Sequence, residues 1–282
     1  MAASGEQTVG PRLTVAVPRA GSRWARLDAK SRAALLFSEL IALLLLWQVA
    51  VGVFELIPQI FFPPPTTIVG GFGQIFESGE LARHLSASIP AWIIGYGLAI
   101  VVGIVVGIGL GAWLPFNRLA GPVLWSLYAT PWLAWRPLSV AWFGFGIAPI
   151  VFLVFIAAIF PVMLNTAAGV SAAEPALISA GRIFGASRTS IYRKIVLPSA
   201  LPFVFAGMRQ SMVMATIALL VGELTGAAAG IGALIANKTA LYQTDEAFAA
   251  IILAVAWTLT LTTLLDAARR RLAPWQTDVT TT

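Results

Sequence analysis

The sequence has no cysteine and a single histidine, His84. Without thiols there is no thiolate nucleophile, no thiolate metal ligand and no disulfide. One imidazole is too few for a histidine-rich metal centre, and it has no company for a Ser-His-Asp triad. Charge is the second scarcity. Asp, Glu, Lys and Arg make up 11% of the 282 residues, against roughly 25% in an average soluble protein. The apolar share is 59% with all 25 glycines left out of it. So few charges cannot cover so much apolar surface, which excludes a soluble enzyme. A disordered chain is excluded too, because disorder needs low hydrophobicity and high charge. The phosphate-cradling pattern GxxxxGK[ST] is also missing, so the chain carries no nucleotide-hydrolysing loop of its own.

What the chain has instead is long uncharged apolar runs. A helix crosses a bilayer core with about 20 such residues. Six stretches qualify, at about 34–54, 89–114, 119–143, 149–170, 202–221 and 247–265. The fold class expected is therefore an all-α integral membrane protein, embedded in a lipid bilayer and multi-pass. Lys and Arg collect on the cytoplasmic side of such bundles. Every basic residue except Arg83, Lys238, Arg136 and Arg209 falls in the N-terminal segment, at Arg118, in the loop carrying Arg182, Arg188, Arg193 and Lys194, or after the last stretch. That pattern predicts both termini in the cytoplasm. Residues 1–33 read as a flexible cytoplasmic arm, 34–271 as the membrane domain with a cytoplasmic loop at 171–202, and 272–282 as a cytoplasmic tail. The first run spans a full bilayer behind a long charged segment, so it reads as an uncleaved anchor.

Gly95, Ala99, Gly103, Gly107 and Gly111 recur at intervals of four, a stripe that lets another helix approach closely. Pro63, Pro64 and Pro65 precede Ile68, Phe72, Ile75 and Phe76. These predict a short amphipathic helix, lying on the outer membrane face or packed on the bundle.

The most informative stretch is EPALISAGRIFGASRTSIYRKIVLPSALP, residues 174–202. Pro175 can open a helix, Gly185 permits a sharp change of direction, and Pro198 and Pro202 punctuate the start of the next span. A helix–Gly–helix element projecting from a bundle can dock on a partner and transmit a push. An ordinary structured loop fits the same residues.

Ser179-Ala180-Gly181, three residues, Gly185, nine residues and Ile195-Val196-Leu197-Pro198 together resemble the EAA loop of ABC importer permeases. The family pattern is Glu-Ala-Ala, three residues, Gly, nine residues, Ile-x-Leu-Pro. PWLAWRPLSVAWFGFG (131–146), GELTGAAAGIGALI (222–235) and QTDEAFA (243–249) are similar to the nitrate/sulfonate/taurine branch, and the resemblance extends over about 61–271. It implies a six-helix type I permease of the inner (plasma) membrane, typically a homodimer. Two cytoplasmic ATPase subunits would hold ATP and Mg²⁺, and an extracytoplasmic solute-binding protein would deliver the solute. No cofactor on this chain and no nucleic acid is implied. The function implied is ATP-driven import of a small anion (sulfonate, nitrate, taurine or organic carboxylate) by alternating access. Contact with the ATPase would fall to Ser179, Ala180, Gly181, Gly185, Ala186, Ile195, Leu197 and Pro198. Two positions depart from the pattern: Ser179 stands for the family Glu and Gly181 for its second Ala. Any ionic contact made by that glutamate is closed to Ser179.

Ionisable residues inside a span cost at least roughly 2.5–3.5 kcal/mol on insertion scales, so they face an interior or a water-filled path. Arg136, flanked by Trp132, Trp135 and Pro137, is a candidate for the translocation pathway; a structurally paired arginine is the alternative. Glu223, before a Gly-rich turn, is a candidate for the outer gate or for a structural hydrogen bond. Glu39 and Arg209 read as snorkelling residues or interhelical partners, and His84 as an interfacial surface residue beside Arg83. Most of the ten Trp residues suit membrane–water interfaces. A gradient-driven secondary transporter or channel would more often show midplane carboxylates or internal repeats, and neither is found. An intramembrane enzyme lacks a nucleophile–base set.

Overall fold

The computed structural model describes residues 28–273, so residues 1–27 of the expected arm and 274–282 of the expected tail lie outside the described residues. Among those described, the structure is helical: α1 (Ala29–Gly52), α2 (Pro65–Glu77), α3 (Glu80–Ala112), α4 (Leu114–Ala129), α5 (Arg136–Phe143), α6 (Ile147–Ser171), α7 (Pro175–Ile183), α8 (Arg188–Ile191), α9 (Leu197–Leu224), α10 (Ile231–Ala240) and α11 (Thr244–Leu272). Helix α1 begins at Ala29, inside the stretch expected to be a flexible arm. Five helical stretches are long and apolar enough to cross a membrane: Ala33–Gly52, Glu80–Ala112, Ile147–Ser171, Arg188–Leu224 and Thr244–Leu272.

The expected third span, 119–143, is not one helix. Thr130 turns extended, with φ −76° and ψ 126°, because the residue before a proline is pushed out of the α region. Pro131 has no N–H to continue the ladder. A 3₁₀ turn at Trp132–Trp135 follows, and α5 restarts with Pro137 in its first turn. Length and apolarity alone had joined what two prolines separate.

Helix α6 is the centre of the bundle, packed between α3 and α9. Cβ atoms added at Gly95, Gly103, Gly107 and Gly111 would crowd Val154, Val162, Thr166 and Val170 of α6 in turn. Both series rise together, so α3 and α6 run parallel along the glycine stripe. The segment 113–146 therefore carries the chain back from the end of α3 to the level of its start. Helix α9 is antiparallel to α6: Gly169 lies against Phe203, and Gly222 against Leu153. Helix α2 buries Ile68 and Ile75 and leaves Phe76 exposed. A Cβ on its Gly71 would strike the backbone of Asp245 and Glu246 on α11, so this helix packs on the bundle. Leu36, Phe37, Leu43 and Leu46 of α1 and Val255 and Leu259 of α11 point outward, an apolar surface suited to lipid.

Candidate functional site

The α6–α9 connection is a built helix–turn–helix. Glu174 precedes Pro175, which occupies the first turn of α7. At the far end Gly185 takes φ +76°, its N–H donates to the Arg182 carbonyl (3.0 Å), and the Ala186 N–H donates to the Gly181 carbonyl (2.9 Å). That pair of bonds is a Schellman cap, which needs the left-handed conformation that glycine adopts without strain. The Ser187 hydroxyl then accepts from the Ser190 N–H and opens α8. Through Tyr192–Val196 the chain makes one π turn, the Leu197 N–H reaching back to the Tyr192 carbonyl. Pro198 explains it, having no N–H for the Lys194 carbonyl.

Of the residues expected in ATPase contact, the structure gathers several into one small core. Ala186 and Ile195 pack with Ile178 against buried Val170, Ala173, Ile191, Val196 and Ala200. Gly181 lies over the same Ile191 and Ile195. Ser179 and Leu197 are exposed, and Ala180 is half-buried. Pro198 lines a groove of about 560 Å³ with Leu177, Lys194 and Ile195. Sequence reasoning passed over the outward face of α7, where Ile183 and Phe184 are 84% and 87% exposed. Their signal was two large apolar residues in a loop that no apolar period required.

Glu223 and Arg136 both lie at the other end of the bundle, Glu223 near the C-terminus of α9 and Arg136 bonded to Thr225 just beyond it. Glu223 is 1% exposed. Its carboxylate accepts from the Ser88 hydroxyl (2.7 Å) and from the Gly232 N–H (2.9 Å), while Ser88 Oγ accepts from the Ile231 N–H (2.8 Å). Two otherwise unpartnered N–H groups in the first turn of α10 are thereby satisfied, with a carboxylate at the positive end of the helix. Gly230, at φ +131°, sits so close to the Glu223 carboxylate that a Cβ there would collide with it. His84, one turn before Ser88, is buried and not on the surface: its Nδ1 lies 2.8 Å from the Gly230 carbonyl and 3.1 Å from its amide. Lys238 is buried as well, 2.7 Å from carboxylates of both Glu80 and Glu246. Burial alone would lower its pKa, but the two carboxylates outweigh it and raise it above the ordinary lysine value.

Arg136 is 9% exposed. Its Nε donates to Thr225 Oγ1 (2.8 Å) and its Nη2 to the Thr225 carbonyl (3.2 Å). Nη1 is buried without a partner. The side chain lines a cavity of about 540 Å³ bounded by Ala87, Ile150 and the small residues of 226–229. Arg209 pairs with Asp266 at 3.2 Å, the interhelical role expected of it, and Glu39 is exposed on α1. Partway along α6 and α9, half-buried Asn165 donates to exposed Gln210 (3.3 Å). Gln210 lines a narrow space of about 80 Å³ with Thr130, Trp132 and Trp135 at the break before α5. A search for charges does not see such neutral amides.

Comparison with known proteins places these features. Residues 99–278 match the family described as binding-protein-dependent transport system inner membrane component. The aliphatic sulfonates transport permease protein SsuC of Bacillus subtilis strain 168 is 33% identical over 82% of this chain and 83% of its own length. The taurine transport system permease protein TauC of Escherichia coli K12 is 32% identical over 85% of this chain and 89% of its own. A riboflavin transport system permease protein, RibX of Chloroflexus aurantiacus, is 31% identical over 84% and 88%. Among solved structures, inward-facing MetNI methionine ABC transporter matches with a TM-score of 0.55 at 19% identity, over 70% of this chain and 96% of that one. An amino acid ABC transporter with histidines matches at 0.53 and 21%, over 71% and 98%. At those identities the two structures speak for the fold.

Proposed function

The chain belongs to the binding-protein-dependent transport system inner membrane components, and from that premise we propose that two copies of it form the pore of an importer for small oxygen-rich anions. As a family member it is a permease subunit of the inner membrane and not an enzyme; ATP is hydrolysed on a separate ATPase, and a substrate-binding protein supplies the solute. The further steps are our reading. Helices α1, α3, α6, α9 and α11 cross the bilayer. The broken segment α4–α5 makes a sixth crossing, with both termini cytoplasmic. The α7–α8 element seats on an ATPase that holds ATP and Mg²⁺. Closure of the two ATPases moves both elements and opens the pore outward, and hydrolysis resets it. Glu223 holds α10 in place at the outer gate.

The observation that carries this reading is the capped α7 element, anchored by a small core on one side and presenting Ile183 and Phe184 on the other. An apolar pair held rigidly at a projecting turn suits a partner's pocket better than water. Anionic solutes are supported by the sulfonate and taurine permeases among the relatives. Ser179 removes the family carboxylate from this contact, which leaves Ile183 and Phe184 as its anchors. The test is a Phe184→Cys variant in the cysteine-free chain, expressed with its ATPase and crosslinked through single cysteines on that subunit. An ATP-sensitive crosslink is expected in that variant, and ATP-dependent uptake of taurine or an alkanesulfonate in the unaltered chain. Uptake that persists without the ATPase would sink the importer reading.

A further inference from the structure

We propose that Arg136 is an anion-holding station in the outer part of the translocation route, with the transported oxyanion as its counter-charge. This rests on the importer reading above and adds to it the site that reads the solute's charge.

Among the described residues no carboxylate pairs with Arg136. The nearest acidic residue along α9, Glu223, is already bonded to Ser88 and Gly232. Arg136 is nevertheless buried, and Nη1 has no hydrogen-bond partner among the described residues. A guanidinium withdrawn from water and left unpaired is costly, so a counter-charge that comes and goes is the arrangement it suits. The cavity beside it is of a size to take one: about 540 Å³, with Arg136 the only charged residue lining it among the described residues. Small-molecule sites occupy roughly 300–1,000 Å³. The wall at Ala87, Gly226, Ala227 and Ala228 is all small side chains, leaving room for a solute without supplying a competing group.

The hydrogen bonds of Arg136 fix its orientation. Nε and Nη2 are both held by Thr225, so the planar group cannot swing away. A planar, permanently charged fork matches the oxygens of a sulfonate or carboxylate better than an ammonium does. Thr225 also connects the site to the rest of the machine. It follows directly on α9, whose opposite end begins at Leu197 and Pro198 in the capped loop. A shift of that loop along α9 moves Thr225 and, with it, the charge.

The experiment uses the assembled transporter in membrane vesicles, with Ala228→Cys as the only thiol in this chain. Its reaction with a charged maleimide is timed in the presence of taurine, propane-1-sulfonate, nitrate or riboflavin. The expected result is several-fold slowing by at least one of the anions and none by riboflavin. The slowing is lost in Arg136→Leu and partly kept in Arg136→Lys, at equal amounts of assembled complex. Should Arg136→Leu fail to assemble, Arg136→Gln keeps a donor for Thr225 without the charge and replaces it. Equal protection in the uncharged variants, protection by riboflavin, or no protection by any anion overturns the station. ATP-dependent uptake is measured on the same vesicles. If it persists while protection is absent, only the station falls; if it never depends on the ATPase, the importer reading falls with it.

Discussion

At the scale of single residues, two motif positions do different work. Gly185 closes the Schellman cap at φ +76°, with open space around the place a Cβ would occupy. The constraint there is conformational and not steric: a left-handed non-glycine residue costs roughly 1–2 kcal/mol. Gly185→Val is expected to insert and assemble normally but to lower solute moved per ATP hydrolysed, measured in proteoliposomes. Gly185→Asn, which tolerates that conformation, is expected to stay close to wild type. Normal coupling in the Val variant would remove the cap from the mechanism. This glycine was legible because its constraint is local. Glu223 was legible only as a motif member, since its partner Ser88 lies 135 positions away. His84 was misread for the same reason, its neighbour in sequence being Arg83 and its partner in space Gly230. Because the Glu223 carboxylate satisfies two buried donors, Glu223→Ala is expected to destabilise the protein by about 1–3 kcal/mol, the penalty for orphaned buried polar groups. A detergent melting curve checks this. An unchanged midpoint would mean that the carboxylate is free to act on solute.

Between elements, backbone proximity sets the architecture, and it was written in the spacing. The α3 stripe predicted close helix packing, and the partner turned out to be α6 along its whole length. A Cβ at Gly107 would lie 2.5 Å from the Met163 carbonyl, whereas one at Gly97 meets nothing within 4 Å. Gly107→Leu is therefore expected to abolish folded protein in the membrane, through overpacking that costs about 1–3 kcal/mol or more. Gly97→Ala is expected to be neutral or mildly stabilising, by reducing backbone freedom in the unfolded chain. Fluorescence size-exclusion profiles of the two variants separate these outcomes; equal profiles would mean that the stripe is not an interface. The α4–α5 break shows where spacing reasoning fails. Pro131 and Pro137 were visible, but a length rule for spans averages over the one dipeptide that decides the backbone path. Gln210 at that break and its partner Asn165 were missed because neutral polar side chains leave no charge signature.

For the whole molecule, the parallel packing of α3 and α6 and the antiparallel course of α9 put the capped loop and the α2 turn at opposite ends of the bundle. Arg182, Arg188, Arg193 and Lys194 crowd the loop end, while the described basic side chains at the other end are Arg83, Arg136 and Lys238, the last neutralised by Glu80 and Glu246. Charge retained on the cytoplasmic side fixes orientation, so the loop end is expected to face the cytoplasm. The native chain has no thiol, which lets one engineered cysteine report one position. In intact cells, Ser78→Cys, exposed just after α2, is expected to react with a membrane-impermeant maleimide. Ser187→Cys, exposed in the loop, is expected to react only after the membrane is permeabilised. The same reversal should hold for Ser4→Cys and Thr282→Cys if both termini are cytoplasmic. The even number of crossings is tested by the agreement of those two. Five crossings, with α1 lying along the membrane instead of spanning it, would leave Ser4 and Thr282 on opposite sides. External labelling of Ser187→Cys in intact cells would invert the bundle and remove the loop from the reach of any cytoplasmic ATPase.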